Sequence, residues 1–309
     1  MIRKIIASFI GGLFFSVLNA QQPAGIIEID NQAIMDTLSE AVPRMAAACP
    51  DAGLTSLQRH ISAEFSSAQI NKAFSGAEPS TAPLTPTEIY AKRSKGVLMF
   101  GNYYDCGECS NLHVGVGATA TVLTPEGICL TNFHVMEDII KNDTAALLGD
   151  SLFYVGTLEG KVYPVTDILA YSRLGDLAVF RVDTRGDRLE AIPLGSSLPA
   201  GSRVHVIGHP KQQFYYYTQG VVARNSKHTY GEKATMRRMQ ITADFAVGAS
   251  GGPILDDCGN LVGMVASTTT LYFDDEEKTN QQMVVKSTIP VSVIKELLKL
   301  PSVPAKIQK

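Results

Sequence analysis

The stretch VGASGGPILDDCGNLVGMV, residues 247–265, sets a serine among glycines, a spacing suited to a nucleophile beside an anion-binding nest. Glycines at 248, 251 and 252 admit tight turns and positive φ angles, which aim the amides of Gly248 and Ser250 at one point in front of the Ser250 hydroxyl. Two converging N–H donors are what a tetrahedral oxyanion needs. A serine hydroxyl is a weak nucleophile without a base. The segment ICLTNFHV offers one, with His134 predicted at the end of an apolar strand. SRLGDLAVFRV then puts Asp176 where a loop enters a strand that is apolar throughout. An acid entering a buried strand is costly without a partner, and an imidazole N–H is a suitable one. Taken alone, the serine segment also fits a glycine-rich hairpin in an all-β protein.

A second group of reactive side chains lies in DCGECSNLH. Cys106, Cys109 and His113 form a C-x2-C-x3-H arrangement that can begin a zinc site, with Cys129 and Cys258 as candidate fourth ligands. In an exported protein a short-range disulfide between Cys106 and Cys109 is the favoured reading of the pair. Cys49 brings the count to five, so at least one cysteine is unpaired within the chain. His209, in IGHP, reads as structural, and the aromatic run at 214–217 reads as strand packing more readily than as a grip on peptide side chains. The acidic run DDEE at 274–277 reads as a solvated loop tip.

These residues need a scaffold. The 309 residues are 45% hydrophobic and 18% charged, enough for one large core or two modest ones. A formal net charge of −3 gives no broad electrostatic reason to expect nucleic acid as a partner. Arg3 and Lys4 followed by an apolar run to Leu18 read as a signal peptide over residues 1–20, cut after Ala20. Its loss removes those two positive charges and moves the net charge from −3 to −5. The expected location is therefore exported, periplasmic or secreted, with no membrane span after cleavage.

Residues 21–84 are predicted as a helical region ending in a proline-rich linker. Ile34, Leu38, Val42 and Met45 share one helical face, a second stripe runs through Leu57, Ile61, Phe65 and Ala68, and GAEPSTAPLTP follows at 76–86. A short helix begins near Thr85 or Thr87. Beyond it come VLMF, HVGVGATATVL, ICLTNFHV, DLAVFRV, RVHVIG, TQGVVA, RMQITADF and LVGMVAS. Short β-branched runs at turn-sized spacing predict an antiparallel all-β barrel or sandwich. PVSVIKELLKL predicts a closing helix, and 301–309 a tail.

In order and spacing, these segments from about Thr85 to Lys299 resemble the trypsin-like serine peptidases of the chymotrypsin fold, and among them the bacterial HtrA (Deg) proteases. The resemblance implies two packed six-stranded antiparallel β-barrels over 85–300, with the site in the cleft between them. It implies a catalytic set of His134, Asp176 and Ser250 and an oxyanion hole of Gly248 and Ser250, without cofactor or metal. Three departures matter. Ala249 stands where digestive enzymes carry an aspartate that pairs with a new amino terminus, so activation by terminal insertion is not expected. Ala266 stands where many relatives place a serine that supports the triad aspartate. No PDZ domain is expected after the closing helix. Asp244 lies at the offset of the aspartate that gives trypsin its basic specificity, though a structural role explains it equally well, and Thr268, Thr269 and Thr270 are placed to narrow the primary pocket.

The expected function is a serine endopeptidase acting on extended or unfolded polypeptides. The alternative is an inactive protease fold that binds or scaffolds partners. Oligomeric state is not readable, and residues 21–84 are candidates for a pro-segment over the cleft.

Overall fold

The computed structural model describes residues 26–61, 76–141, 150–230 and 234–299. The predicted signal peptide, Phe65, Ala68 and the tail lie outside them. Two closed antiparallel barrels of six strands form the body of the molecule. The first comprises β1 (Val97–Asp105), β2 (Leu112–Val122), β3 (Ile128–Thr131), β4 (Asp150–Gly156), β5 (Val162–Ser172) and β6 (Leu177–Val182), closed in the order β1-β2-β3-β6-β5-β4. The second comprises β7 (Arg203–Gly208), β8 (Tyr216–Tyr230), β9 (Ala234–Ile241), β10 (Pro253–Leu255), β11 (Leu261–Asp274) and β12 (Thr279–Pro290), in the order β10-β11-β12-β9-β8-β7.

Period-2 patterning explains the interiors. In β1, Leu98 and Phe100 turn into the first barrel beside Ala120 and Phe180, with the Phe100 and Phe180 rings edge to face at 5.7 Å. Val97 and Met99, on the opposite face, are equally buried. Their cover is helix α1 (Asn31–Ala48), whose Leu38, Val42 and Met45 join the same apolar cluster. Burying each such side chain contributes about 1.5–3 kcal/mol. The second barrel is filled by Val204, Val206, Met239, Ile241 and Ile254.

The flanking helices follow their sequence signals. Asp30 caps α1, accepting from the Ala33 amide at 3.0 Å. Helix α2 (Leu54–Ile61) buries Leu57 against the first barrel. Thr85 and Glu88 form a reciprocal capping box at the start of α3 (Pro86–Arg93), an arrangement worth about 1 kcal/mol. The proline-rich stretch before it is docked: the Leu84 amide donates to Asp257 O at 2.8 Å, and Asn260 bonds the Ser80 backbone twice. Helix α5 (Val291–Leu297) closes the chain on Val291 and Ile294.

Two details differ from the sequence expectation. Strand β3 stops at Thr131, and His134 lies in the first turn of a helix, α4 (Phe133–Lys141). The reason is periodicity, because Phe133, Met136 and Ile139 recur at helical spacing and all three are buried. Strands β4, β5 and β12 are additional to the runs read from sequence, whereas β10 is the apolar strand expected after Gly251, Gly252 and Pro253. Pro164 and Asp167 interrupt β5, and β12 opens with the polar TNQQ, so their apolar signal is weak. Among the described residues no helix is long and apolar enough to cross a membrane.

Candidate active site

The cleft between the barrels brings together the three side chains singled out by their sequence context. His134 leaves the first turn of α4, anchored by the buried Phe133 ring. Its Nε2 lies 3.1 Å from the Ser250 hydroxyl. Its Nδ1 faces the Asp176 carboxylate at 3.0 Å and 3.1 Å, and its backbone amide donates to the same carboxylate at 3.1 Å. Asp176 occupies the left-handed region with φ 60°, a conformation that aspartate tolerates better than most residues and that turns the carboxylate toward the histidine just before β6 begins. With the carboxylate on Nδ1–H, Nε2 is left as the acceptor of a proton from Ser250.

Sequence reasoning missed Asn132. Its buried side-chain amide donates to Asp176 Oδ2 at 3.0 Å and to the Asp176 carbonyl at 3.1 Å. The carboxylate therefore has a fixed donor although position 266 is alanine. The signal was in LTNFH, an amide two residues before the histidine, but its partner lies 44 residues away.

Ser250 sits in a loop whose shape depends on glycine. Gly251 has φ 88°, and a Cβ there would approach Thr119 O to 2.0 Å. Gly248 has φ 96°. The loop is tied to the first barrel through β2: Thr119 Oγ1 donates to Gly248 O at 2.8 Å, the Thr119 amide donates to Ser250 O at 2.8 Å, and Thr121 Oγ1 donates to Gly251 O at 2.8 Å. The carbonyl of Val247 is turned away and accepts from the Lys211 amide at 2.7 Å. The amides of Gly248 and Ser250 have no partner among the described residues. A pocket of about 310 Å³ opens in front of them, lined by Phe100, Asn102, His134, Val135, Phe153 and Val247. No residue of 26–61 lines it.

The other sequence candidates resolve differently. Asp244 does not stand free: its carboxylate is mostly exposed and ion-paired with Lys286 Nζ at 3.2 Å. Thr268 and Thr269 are exposed on β11. Phe214 and Tyr215 are buried and Tyr217 bonds His205 Nδ1 at 2.7 Å, so these three serve packing, whereas Tyr216 is exposed. The run at 274–277 is exposed at the β11–β12 turn. His209 is buried, its Nδ1 accepts from the Tyr215 amide at 3.1 Å, and burial pushes its pKa down to about 3. All five cysteines are free. Burial raises the Cys129 thiol pKa, whereas Cys106 is lowered to about 7, chiefly by the Glu108 amide and then by Cys109 and His113.

The trypsin-like peptidase domain model matches residues 118–264, a span that includes His134, Asp176 and Ser250. Protease Do-like 1, chloroplastic, of Arabidopsis thaliana is 32% identical over 145 residues, covering 45% of this chain and 30% of that protein. Protease Do-like 5, chloroplastic, of the same plant is 29% identical over 148 residues, covering 47% and 46%. The chain thus spans less than half the length of these curated relatives. The solved structure of the HtrA-type protease AlgW with decapeptide superposes with a TM-score of 0.55 at 18% identity, over 70% of this chain and 67% of that one. Residues 118–264 thus match a trypsin-like peptidase domain, the chain is similar to proteases of the Deg/HtrA kind, and its fold is the two-barrel chymotrypsin-like one.

Proposed function

We propose that the protein is an exported serine endopeptidase that cleaves extended or unfolded polypeptides. The observation that carries this reading is the 3.1 Å approach of His134 Nε2 to Ser250 Oγ, with Asp176 behind the imidazole. The steps follow from it. His134 takes the hydroxyl proton as Ser250 attacks the scissile carbonyl, and Asp176 holds the Nδ1–H tautomer and stabilises the imidazolium. The unpaired amides of Gly248 and Ser250 receive the oxyanion. The proton then passes from His134 to the leaving amine, and water repeats the sequence on the acyl-enzyme. An open cleft suits an extended chain. Export rests on the signal-like segment at residues 1–20. Residues 85–300 are read as the peptidase unit, with 21–84 as a supporting helical region.

A fluorophosphonate probe is expected to label Ser250 in the wild type and to leave Ser250→Ala unlabelled. Turnover of a denatured protein substrate is expected to fall by about 10⁴-fold or more in Ser250→Ala. A wild-type protein that binds unfolded chains but neither reacts with the probe nor cleaves them sinks this reading and favours the inactive scaffold.

A further inference from the structure

The β1–β2 hairpin carries a second cluster of reactive groups at its tip. Cys106 and Cys109 Sγ are 3.6 Å apart, and Cys109 Sγ is 3.1 Å from His113 Nε2. All three ligand atoms lie within 4.8 Å of one another, on side chains that solvent reaches. A tetrahedral zinc with Zn–S about 2.3 Å and Zn–N about 2.0–2.1 Å has edges of about 3.8 Å between sulfurs and about 3.6 Å between sulfur and nitrogen. The cluster is near that shape already. A disulfide, with sulfurs about 2.05 Å apart, would engage two of the three groups and leave the imidazole without a role.

The local backbone is arranged around the first sulfur. Gly107 turns the chain with φ 73°, its amide donating to Asp105 Oδ1 at 2.8 Å, and the nearby backbone amides of Glu108 and Cys109 lower the pKa of the Cys106 thiol. Amide donors aimed at sulfur stabilise a metal-bound thiolate. Cys109 Sγ also lies 3.5 Å from Asn111 O, and the Tyr104 ring packs on the His113 ring at 5.6 Å, steadying it. Cys129 is buried in the first barrel and Cys258 lies on the β10–β11 turn of the second, so neither completes the set.

We propose that Cys106, Cys109 and His113 form a site for a thiophilic divalent cation of the zinc class, with a fourth position open to water. Binding releases the thiol protons to solvent and clamps the hairpin tip. The same strand lines the cleft at Gly101 and Asn102, and at about 3.3 Å per residue the first cysteine lies roughly 13 Å farther along. The clamp therefore stiffens a wall of the cleft from outside it. The site is independent of the peptidase reading.

The test is a titration of the full protein, reduced and metal-free, with Co²⁺ followed by Zn²⁺. One equivalent of Co²⁺ is expected to bind with thiolate-to-metal charge-transfer absorption and tetrahedral ligand-field bands, all displaced by Zn²⁺. Cys106→Ser and Cys109→Ser are expected to abolish these bands, His113→Ala to weaken binding at least about tenfold, and Cys258→Ser to change nothing. Zn²⁺ is also expected to slow amide exchange across residues 105–113. The proposal is overturned if the reduced protein gives no charge-transfer band, if His113→Ala binds as tightly as wild type, or if Cys258→Ser loses the metal.

Discussion

Asn132 is fully buried and polar, and its amide nitrogen serves one residue, Asp176. A hydrogen bond to a charged group is worth about 1.5–3 kcal/mol. Asn132→Ala is therefore expected to lower kcat about ten- to hundredfold with KM little changed, read with a peptide substrate under saturating and subsaturating conditions. Wild-type kcat in that variant means Asp176 needs no such support. His209 supplies a stability prediction. Its folded pKa of about 3 lies below the ordinary value of about 6.5, so the unfolded chain takes up the proton first. Stability tied to this group is full above pH 6.5 or so and is lost as pH falls toward 3, by up to about 1.4 kcal/mol per unit. In His209→Asn the amide oxygen can replace Nδ1 as acceptor for the Tyr215 amide. Its urea midpoint should decline less steeply than that of wild type between about pH 6 and 4, and parallel curves would refute the assignment. At this scale the meeting of Ser250, His134 and Asp176 was readable because each is announced by neighbours in sequence. The roles of Asn132 and of Lys286 beside Asp244 were not, since each depends on a partner that is close only after folding.

Helix α1 was readable as an amphipathic stripe, and its seat was not. Ile34, Leu38, Val42 and Met45 specify a face but do not say that β1 presents Met99 to it. Leu38→Ala is expected to cost about 2–5 kcal/mol, seen as a lower denaturant midpoint with unchanged slope. A loss under about 0.5 kcal/mol would mean that the helix is only loosely applied to the barrel. The start of α1 also reaches the loop at 209–215, where Asn31 Oδ1 accepts from the Phe214 amide at 3.1 Å. That loop contains Lys211, Gln212 and Tyr215 at positive φ and donates the Lys211 amide to Val247 O, next to Gly248. Asn31→Ala is expected to reduce kcat several-fold by loosening this path, and an unchanged kcat would show that the loop holds its shape without α1. The strands absent from the sequence reading share a cause: β5 and β12 owe their conformation to barrel closure, which overrides Pro164 and the polar TNQQ run.

Across the whole molecule, the two barrels meet at a polar seam beside Ser250 and the proposed oxyanion site. Thr119 and Thr121 of the first barrel hold three backbone carbonyl groups of the second, at Gly248, Ser250 and Gly251. Thr121→Val keeps the shape and removes the donor, leaving the Gly251 carbonyl buried and unpaired at a cost of about 1–3 kcal/mol. A drop in both thermal midpoint and kcat is expected, and a variant matching wild type in both would show the seam to be dispensable. The two-barrel architecture was legible because turn-spaced β-branched runs recur along the chain. The seam was hidden because a threonine facing another barrel looks the same in sequence as one facing solvent. The apolar cluster beneath α1 bears on how this protein is handled at the bench. A chain trimmed to start at Pro86 would keep all twelve strands yet bare the trough that Leu38, Val42 and Met45 fill. Expressed that way, the shortened polypeptide should clump, and adding back residues 26–61 should restore a clear solution.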